Sequence, residues 1–532
     1  MMRKKLYILY IIAFIMGGCY EDKGNYDYKN INDILSLTFS PEPTISEYSY
    51  DYKYRQPPLD TLFVTYSPSV EQSIMTDDSQ LEFQWIFLKS ANNKTYYDTV
   101  KSKDLILKYP PKKSTSYSPL FRMIDHSTGV EYYRQFTMKT ELPFVMSWFV
   151  LHGQPNDRKL GVIEGIDDES AIRITLDAYD DIWGVRRFQK AIGLVYAPSD
   201  ASNNFRTQDV EHLTVLQQDS AAYMHPFNLI VSNKFEQMMP ATIVRPRLAY
   251  GMGDEKRDRT VIVDENGRFY WAKGYGYYFA VNTEEATKDY IVDKIYIAED
   301  LYVIVWDKVH KQFMYYGMYQ NSSTFQDPGS HPNDDGNVAV LKLFEEGVFD
   351  EKEWDDKEII YLGQGNNDVS EFGVTAVAVD ANQKHFVYQM GFNSKSGGSE
   401  SFIEVTKTEA LNMNLDENSQ IATSIAFKDQ IFYTRNSAVY LYNMVSGEET
   451  YLYDAGGPIS QIKFRISRGY DTGYGAIDAN NRLAIVVNGA DGTGELHELF
   501  LDISGDVNKT MVYTGFGPIV DIVFSAQGFP RN

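Results

Sequence analysis

The sequence predicts an all-β protein in which a small β-sandwich is followed by a β-propeller. Three observations lead to this prediction. Residues 36–141 contain short runs of β-branched and aromatic residues separated by turn signals, and aspartate-centred turns recur beyond residue 142. Tyr and Phe, which favour strands, number 40 and 30 in the chain. At 532 residues the chain is too long for one hydrophobic core, so two domains are expected.

The predicted sandwich rests on five runs that favour strands. They are TLFVTYS (61–67), LEFQWIFL (81–88), DLILKYP (104–110), SPLFRMID (118–125) and EYYRQFTMKT (131–140). Trp85 lies in the middle of its run, where immunoglobulin-like sandwiches bury a core tryptophan, although no cysteine pair flanks it. Residues 125–129 predict a hairpin turn between the last two strands.

The predicted propeller, residues 142–532, rests on a repeat. An aspartate stands between two apolar runs at Asp264, Asp307, Asp380, Asp429 and Asp478, at intervals of 43, 73, 49 and 49 residues. The longest interval contains a polar insertion, 321–337, and a fainter member of the series is Asp219. A period in the forties with one hairpin per unit is typical of a propeller whose blades are four-stranded sheets.

The two ends of this region predict how the ring closes. FGPIVDIVF (516–524) repeats the form of GGPISQIKF (456–464), but too little chain follows it for another unit. The hairpin at 147–165 lacks a clear inner strand. We therefore expect the last strand to complete the first blade, which removes two sheet edges. Seven blades are favoured, and six or eight also agree with the irregular segment 165–215.

The N-terminus predicts a lipoprotein. Basic residues precede an apolar run of 11 residues, Leu6–Met16, which suits a signal peptide and is too short to span a bilayer. Gly17 and Gly18 lead into Cys19, the only cysteine, in a loose match to a lipobox. We expect cleavage of a signal peptide over 1–18, lipidation of Cys19 and a polar tether over 19–35. The alternatives are a secretory signal with an unrelated cysteine, or an uncleaved anchor.

The charge of the chain limits its partners. The formal net charge is −23, and cleavage of the signal peptide would make it −26 by removing three basic residues. So acidic a protein repels phosphate backbones, which argues against nucleic acid as a partner. It also argues against membrane binding through basic patches, so the lipid would supply the attachment.

Two features together resemble a known family. They are EDKGNYDY (21–28) directly after Cys19 and the Trp85 sandwich ending in IDHSTGVEYYRQFTM (124–138). With the propeller-like remainder, they resemble the PKD-like lipoprotein family of Bacteroidetes-type bacteria.

The resemblance implies an N-terminal PKD/Ig-like domain and an outer-membrane lipoprotein facing the cell exterior. The acidic residues Glu21 and Asp22 resemble a surface-export signal. The setting implied is accessory to a starch-utilisation-type TonB-dependent transporter and its lid lipoprotein. The ligand implied is a glycan or peptide nutrient, and the family supplies no catalytic residues.

Three functional hypotheses follow. The first is a binding module without enzymatic activity or cofactor, the second is a docking scaffold without a soluble ligand, and the third is a propeller glycoside hydrolase or lyase. Enzyme signatures such as HExxH, GxSxG and the phosphate-binding loop do not occur. Two carboxylates suffice for glycoside hydrolysis, however, and sequence spacing does not reveal such a pair.

Two kinds of candidate ligand site stand out. Aromatic side chains for stacking on a ligand are Tyr275, Tyr277, Tyr278 and Trp183, and their alternative role is in the core or in a strand. Oxygen ligands for calcium are Asp327, Asp334, Asp335 and Asn337, although they do not fit the EF-hand pattern and also suit a solvated loop.

Overall fold

The computed structural model describes most of the chain in segments. These are residues 31–46, 49–55, 60–91, 94–110, 115–141, 143–144, 146–165, 172–197, 212–217, 221–224, 226, 228–234, 246–254, 257–273, 279–280, 282–283, 289–298, 302–317, 340–343, 352–365, 372–393, 401–424, 426–465 and 481–525. The chain divides into two compact units, Met1–Glu141 and Leu142–Asn532, called here the first and the second unit. Among the described residues, no helix has the length and apolar character needed to cross a bilayer.

The first unit is a β-sandwich. Its described strands are β1 (Ile34–Ser40), β2 (Thr44–Ile45), β3 (Tyr50–Arg55), β4 (Leu62–Gln72), β5 (Leu81–Ala91), β6 (Lys94–Val100), β7 (Leu105–Tyr109), β8 (Ser116–Tyr117), β9 (Leu120–Asp125) and β10 (Val130–Glu141). One sheet has the order β1-β4-β7, and the other has the order β2-β3-β10-β9-β5-β6 with β8 on β10. Burial alternates along β7, which is the pattern of a strand with one face in the core.

Trp85 lies at the centre of the sandwich core, as predicted. It is fully buried, and its ring centroid lies 4.8 Å from that of Phe121 and 5.2 Å from that of Phe136. Its indole N–H donates to the Lys103 carbonyl at 3.2 Å, which satisfies the polar atom of the buried ring.

The predicted hairpin turn at 125–129 is also present. Asp125 is buried, and its carboxylate accepts hydrogen bonds from the Ser127 backbone N–H at 2.8 Å and from the Thr128 hydroxyl at 2.9 Å. Gly129 has a φ of +75°, a conformation that glycine adopts without steric cost.

The described part of the second unit consists of short strands and one short helix. In chain order its described elements are β11 (Trp148–His152), β12 (Lys159–Glu164), β13 (Arg173–Thr175), α1 (Ala178–Trp183), β14 (Ala191–Ala197), β15 (His212–Gln217), β16 (Ala221–Met224), β17 (Val231–Lys234), β18 (Pro246–Asp254), β19 (Arg257–Asp264), β20 (Phe269–Lys273), β21 (Phe279–Ala280), β22 (Asn282–Thr283), β23 (Val292–Ala298), β24 (Tyr302–Asp307), β25 (Gln312–Gly317), β26 (Val340–Leu343), β27 (Lys357–Gln364), β28 (Phe372–Asp380), β29 (His385–Asn393), β30 (Ser401–Glu409), β31 (Ile421–Ala422), β32 (Gln430–Arg435), β33 (Ala438–Asn443), β34 (Glu449–Asp454), β35 (Ile459–Phe464), β36 (Arg482–Asn488), β37 (Gly494–Leu501), β38 (Val507–Phe516) and β39 (Ile519–Phe524).

These strands form antiparallel sheets of four consecutive strands. The sheets are β14–β17, β18–β21, β23–β26, β27–β30, β31–β34 and β35–β38, and β22 adds a parallel fifth strand beside β26. A further sheet has the order β13-β12-β11-β39, in which the last strand of the described chain lies antiparallel to β11. Trp148 pairs with Phe524 and Val150 with Ile522 in that register, which is the strand pairing predicted from the two ends of the region.

Neighbouring sheets pack through their first strands and through shared apolar clusters. The first strands β14 and β18 are in contact, as are β23 and β27, and β31 and β35. In the sheet closed by the last strand, β39 takes the place of a first strand and contacts β14. Buried clusters join β19 and β20 to the β23–β26 sheet, and that sheet to β27–β30. Further clusters join β27–β30 to β31–β34, β31–β34 to β35–β38, and β35–β38 to β11, β12 and β39. Another cluster joins β11 and β12 to β14–β16.

The predicted all-β class with a sandwich and a propeller is therefore confirmed. The described residues of the second unit contain seven sheets, and seven as the number of blades stays a prediction.

The aspartate repeat was wrong in one respect. Asp264, Asp307 and Asp380 each end the second strand of a sheet, before the turn to the third. Asp429 instead precedes the second strand β32, so the 49-residue interval between Asp380 and Asp429 joins two different positions. The β32–β33 turn is Asn436–Ser437, and Asn436 has a φ of 57°; this short turn uses asparagine in place of the aspartate. Asp219 and Asp478 lie outside the described residues.

Candidate functional site

Most of the residues predicted from the sequence to bind something lie outside the described residues. These are Cys19, Tyr275, Tyr277, Tyr278, Asp327, Asp334, Asp335 and Asn337. Their proposed roles stay predictions. Within the described residues, no group of three or more His, Cys, Asp or Glu side chains is placed to hold a metal ion.

Trp183 is the predicted ligand contact that the structure describes. It is the last residue of α1, and 36% of its surface is exposed. The helix begins at Asp177, whose carboxylate accepts from the Asp180 N–H, and ends at Gly184 in the left-handed conformation. Tyr179 anchors it by packing on Phe188 with ring centroids 4.7 Å apart. Trp183 is thus held at the surface on a short helix capped at both ends, and its role in binding stays a prediction.

A pocket of about 630 Å³ lies where the sheets β31–β34 and β35–β38 meet. It is lined by Asp416, Asn418, Gln420, Thr434, Asn436, Ser437, Gly457, Pro458, Ile459 and Ser460. These residues belong to the connection before β31, the β32–β33 turn and the connection from β34 into β35. In a sheet of four consecutive antiparallel strands, the entry to the first strand, the turn after the second and the exit from the fourth share one end. The topology therefore brings the three segments together.

Hydrogen bonds hold the first segment in a defined shape. The Asp416 carboxylate accepts from the Asn418 N–H at 2.8 Å and from the Ser419 hydroxyl at 3.2 Å. The Gln420 N–H donates to the Thr434 hydroxyl at 2.9 Å, and the Thr434 N–H donates to the Gln420 carbonyl at 2.9 Å. Because Gln420 and Thr434 are linked in this way, the segment is fixed to β32 and its shape does not depend on a ligand.

The third segment lies close to the neighbouring strand. Gly456 has a φ of 72°, and its N–H donates to the Asp454 carboxylate at 2.9 Å. A Cβ atom at Gly457 would lie 2.8 Å from a methyl carbon of Val487, so a larger residue there would collide with the core. The Ser460 hydroxyl accepts from the Asn488 side-chain amide at 3.0 Å. These contacts fix the wall of the pocket formed by β35.

The cations next to the pocket are paired with carboxylates. The Arg435 guanidinium contacts Glu449 at 3.2 and 3.0 Å and lies 4.0 Å above the Tyr440 ring. The hydrogen bond to Glu449 is the main cause that raises the pKa of Arg435, against the opposing effect of burial. Lys463 contacts the Asp521 carboxylate at 2.6 Å. Asp416 is then the ionisable group of the lining, and the remaining polar groups are amides and hydroxyls.

The lining offers groups that both donate and accept hydrogen bonds, and one carboxylate. Amides and hydroxyls both donate and accept hydrogen bonds, so they match ligands that carry many polar groups. Glycoside hydrolysis with the usual acid and base needs two carboxylates on either side of the bond, and the lining of this pocket offers one.

The sequence alone did not single out these residues. The relevant signals are the connections DENSQ (416–420) and GGP (456–458), which precede the first strands of two consecutive sheets. Connections of this kind are common, and only the position of both at one end of adjacent sheets distinguishes them.

Residues 19–190 match the model of the PKD-like family. The N-terminal part of this chain is PKD-like. The match begins at the predicted lipidation site and continues beyond the sandwich into the first elements of the second unit. It confirms the resemblance predicted from the sequence. No curated protein matches the chain.

Solved structures that match the chain include two from Bacteroides. A quinonprotein alcohol dehydrogenase-like protein of Bacteroides thetaiotaomicron is 10% identical over 93% of this chain and 100% of its own, with a TM-score of 0.41. A DUF4784 family protein of Bacteroides caccae is 11% identical over 92% of this chain and 99% of its own, with a TM-score of 0.27. The β-propeller domain of Cps50 (Swd1) from Myceliophteria thermophila is 9% identical over 71% of this chain and 90% of its own, with a TM-score of 0.33.

Proposed function

We propose that this protein is a lipid-anchored accessory protein on the outer surface of the outer membrane, where it captures a glycan or peptide nutrient. The observation that carries the proposal is the polar pocket formed by three connections at one end of the sheets β31–β34 and β35–β38. The captured ligand would pass to a TonB-dependent transporter and its lid lipoprotein, with which this protein would associate.

The pocket supports capture because three connections line it together, and seven of its ten lining residues carry polar side chains. A docking surface would be broader and flatter, as stable protein interfaces usually are. The PKD-like segment that begins at Cys19 fits an accessory protein of the cell surface.

Binding is tested with the full chain purified in detergent. Calorimetry against a panel of oligosaccharides and peptides should show saturable binding, and product analysis of the same mixtures should show no cleavage. Cleavage products would overturn the binding role in favour of a hydrolase or lyase. Failure of every member of the panel to bind would favour the scaffold.

The anchor is tested separately with Cys19→Ala. Because one thiol would carry the lipid, the variant should leave the membrane fraction while the parent stays in it. Protease added to intact cells should degrade the anchored parent if it faces the exterior. A C19A protein that stays with the membrane would overturn the lipid anchor, and the binding role would still be decided by the calorimetry.

The partner is tested by affinity purification of the parent, which should bring down the transporter.

A further inference from the structure

We infer that the pocket selects a neutral carbohydrate over acidic glycans and over peptides. This inference rests on the proposed function, and it names the ligand class of the same pocket.

The lining matches the hydroxyl groups of a sugar. Six uncharged polar side chains line the pocket, and four of them already bond within the protein: Gln420, Thr434, Ser437 and Ser460. The exposed amides of Asn418 and Asn436 are the groups that can turn to a ligand. A sugar hydroxyl donates one hydrogen bond and accepts others, and these groups do the same. The exposed ring of Pro458 adds a small apolar surface on which a pyranose face can pack.

The pocket lacks the groups that acidic ligands need. Carboxylates, sulfates and phosphates are bound in proteins mainly by arginine, lysine or convergent backbone N–H groups. No lysine or arginine is among the ten residues that line this pocket. The two cations nearest to the lining in sequence are committed elsewhere, Arg435 to Glu449 and Lys463 to Asp521.

The electrostatic field of the site disfavours anions further. Asp416 brings a negative charge to the lining, and the chain has a formal net charge of −23. Peptides meet a second obstacle, because their apolar side chains need apolar partners, and Pro458 is the exposed apolar side chain of the lining while Ile459 is buried.

The experiment compares three ligand classes on the full chain in detergent, by calorimetry at two salt concentrations. The probes are neutral oligosaccharides (malto-, xylo-, manno- and laminari-oligosaccharides), acidic oligogalacturonides of equal length, and mixed tryptic peptides. Two variants remove pocket amides, Asn418→Ala and Asn436→Gly; the second keeps the positive φ of 57° accessible.

Asn156→Gly is the matched control. Asn156 is also an exposed asparagine with positive φ, 64°, but it lies in the β11–β12 connection, outside the pocket lining.

The parent should bind at least one series of neutral oligosaccharides. The affinity for that series should be at least tenfold lower in the two pocket variants and unchanged in N156G. Oligogalacturonides should bind at least tenfold more weakly than that series, and salt should change the affinity for it by less than twofold. Neutral binding that N418A and N436G leave unchanged would overturn the inference by placing the ligand elsewhere.

Two further outcomes separate this inference from the proposed function. Pocket-dependent binding of oligogalacturonides or peptides in preference to neutral sugars would overturn the inference and leave capture intact. Absence of binding in all three classes would overturn both.

Discussion

At the scale of single residues, glycines show how closely the backbone approaches its neighbours in this protein. Gly267, in the turn between β19 and β20, has a φ of +76°, and a Cβ atom there would lie 2.4 Å from a methyl carbon of Ile291. Gly184, the C-cap of α1, has a similar φ of +65°, but no heavy atom lies within 4 Å of its Cβ position. Gly184 therefore shows the conformational role of glycine alone, whereas Gly267 shows its conformational and its steric role together.

Gly267→Ala should therefore be more destabilising than Gly184→Ala. The left-handed conformation costs alanine about 1–2 kcal/mol at either site, and the collision with Ile291 adds about 1–3 kcal/mol at position 267. Urea unfolding of both variants measures the difference. Equal losses of stability would show that the chain around Ile291 relaxes freely.

At the scale of elements, aspartate-centred turns connect many of the strands. One carboxylate oxygen of Asp264 accepts from the N–H groups of Asn266 and Arg268, at 2.9 and 2.8 Å. Asp380 accepts from Asn382 and Lys384 in the same way, at 2.8 and 2.9 Å. Asp502 does so too, but it lies between the third and fourth strands of its sheet. The turn is a local device that serves different connections, so its recurrence in sequence does not mark equivalent positions.

The turn at Asp380 predicts a pH dependence. The N–H of Lys384, followed by that of Asn382, lowers the pKa of Asp380, so the folded state favours the ionised carboxylate. The stabilisation is complete above the ordinary aspartate pKa, about 4, and is lost as the pH falls through the lowered pKa.

Asp380→Ala should accordingly be less stable than the parent at pH 7, and the difference should shrink on acidification. Asp380→Asn keeps an acceptor oxygen and should lose less stability at pH 7. Thermal unfolding from pH 7 to pH 3 measures both variants. A difference between parent and D380A that stays constant with pH would contradict a role for the ionised group.

At the scale of the whole molecule, a buried polar cluster lies between two sheets of the second unit, β35–β38 and the sheet that contains β11. Glu498 on β37 is fully buried and accepts from the Trp148 indole N–H on β11 at 3.2 Å and from the Tyr513 hydroxyl at 3.1 Å. The guanidinium groups of Arg465 and Arg482 interact with it electrostatically. Trp148 and Glu498 are 350 residues apart in the chain, so this hydrogen bond links the sheet that contains β11 to the sheet β35–β38.

Glu498→Gln should destabilise the second unit strongly. Removal of one partner from a buried charged pair costs about 3–5 kcal/mol, because the charge of Arg465, which is 2% exposed, then stays in the interior without the Glu498 carboxylate. Tyr513→Phe is the control: it removes one hydrogen bond to the carboxylate and should cost about 1.5–3 kcal/mol. Urea unfolding followed by circular dichroism compares them. A loss in E498Q no larger than in Y513F would mean that the arginines find other partners.

The sequence by itself determined the features that depend on neighbouring residues or on repeated form. The all-β class, the buried position of Trp85, the hairpin turn at Asp125 and the similarity of 516–524 to the first strand at 456–464 all belong to this group. Each follows from alternation, turn chemistry or self-similarity, which act over a few residues. The PKD-like resemblance belongs here too, because it rests on contiguous motifs.

Only the tertiary structure decided which distant residues meet. The pocket joins segments 416–420, 436–437 and 457–460, and its charge depends on the pairing of Arg435 with Glu449 and of Lys463 with Asp521. Sequence patterns show that strands exist, but strand register and sheet packing determine which side chains share a space. Polar loops line a common pocket where the topology places them side by side, and an arginine attracts anions less when a carboxylate across the sheet neutralises it.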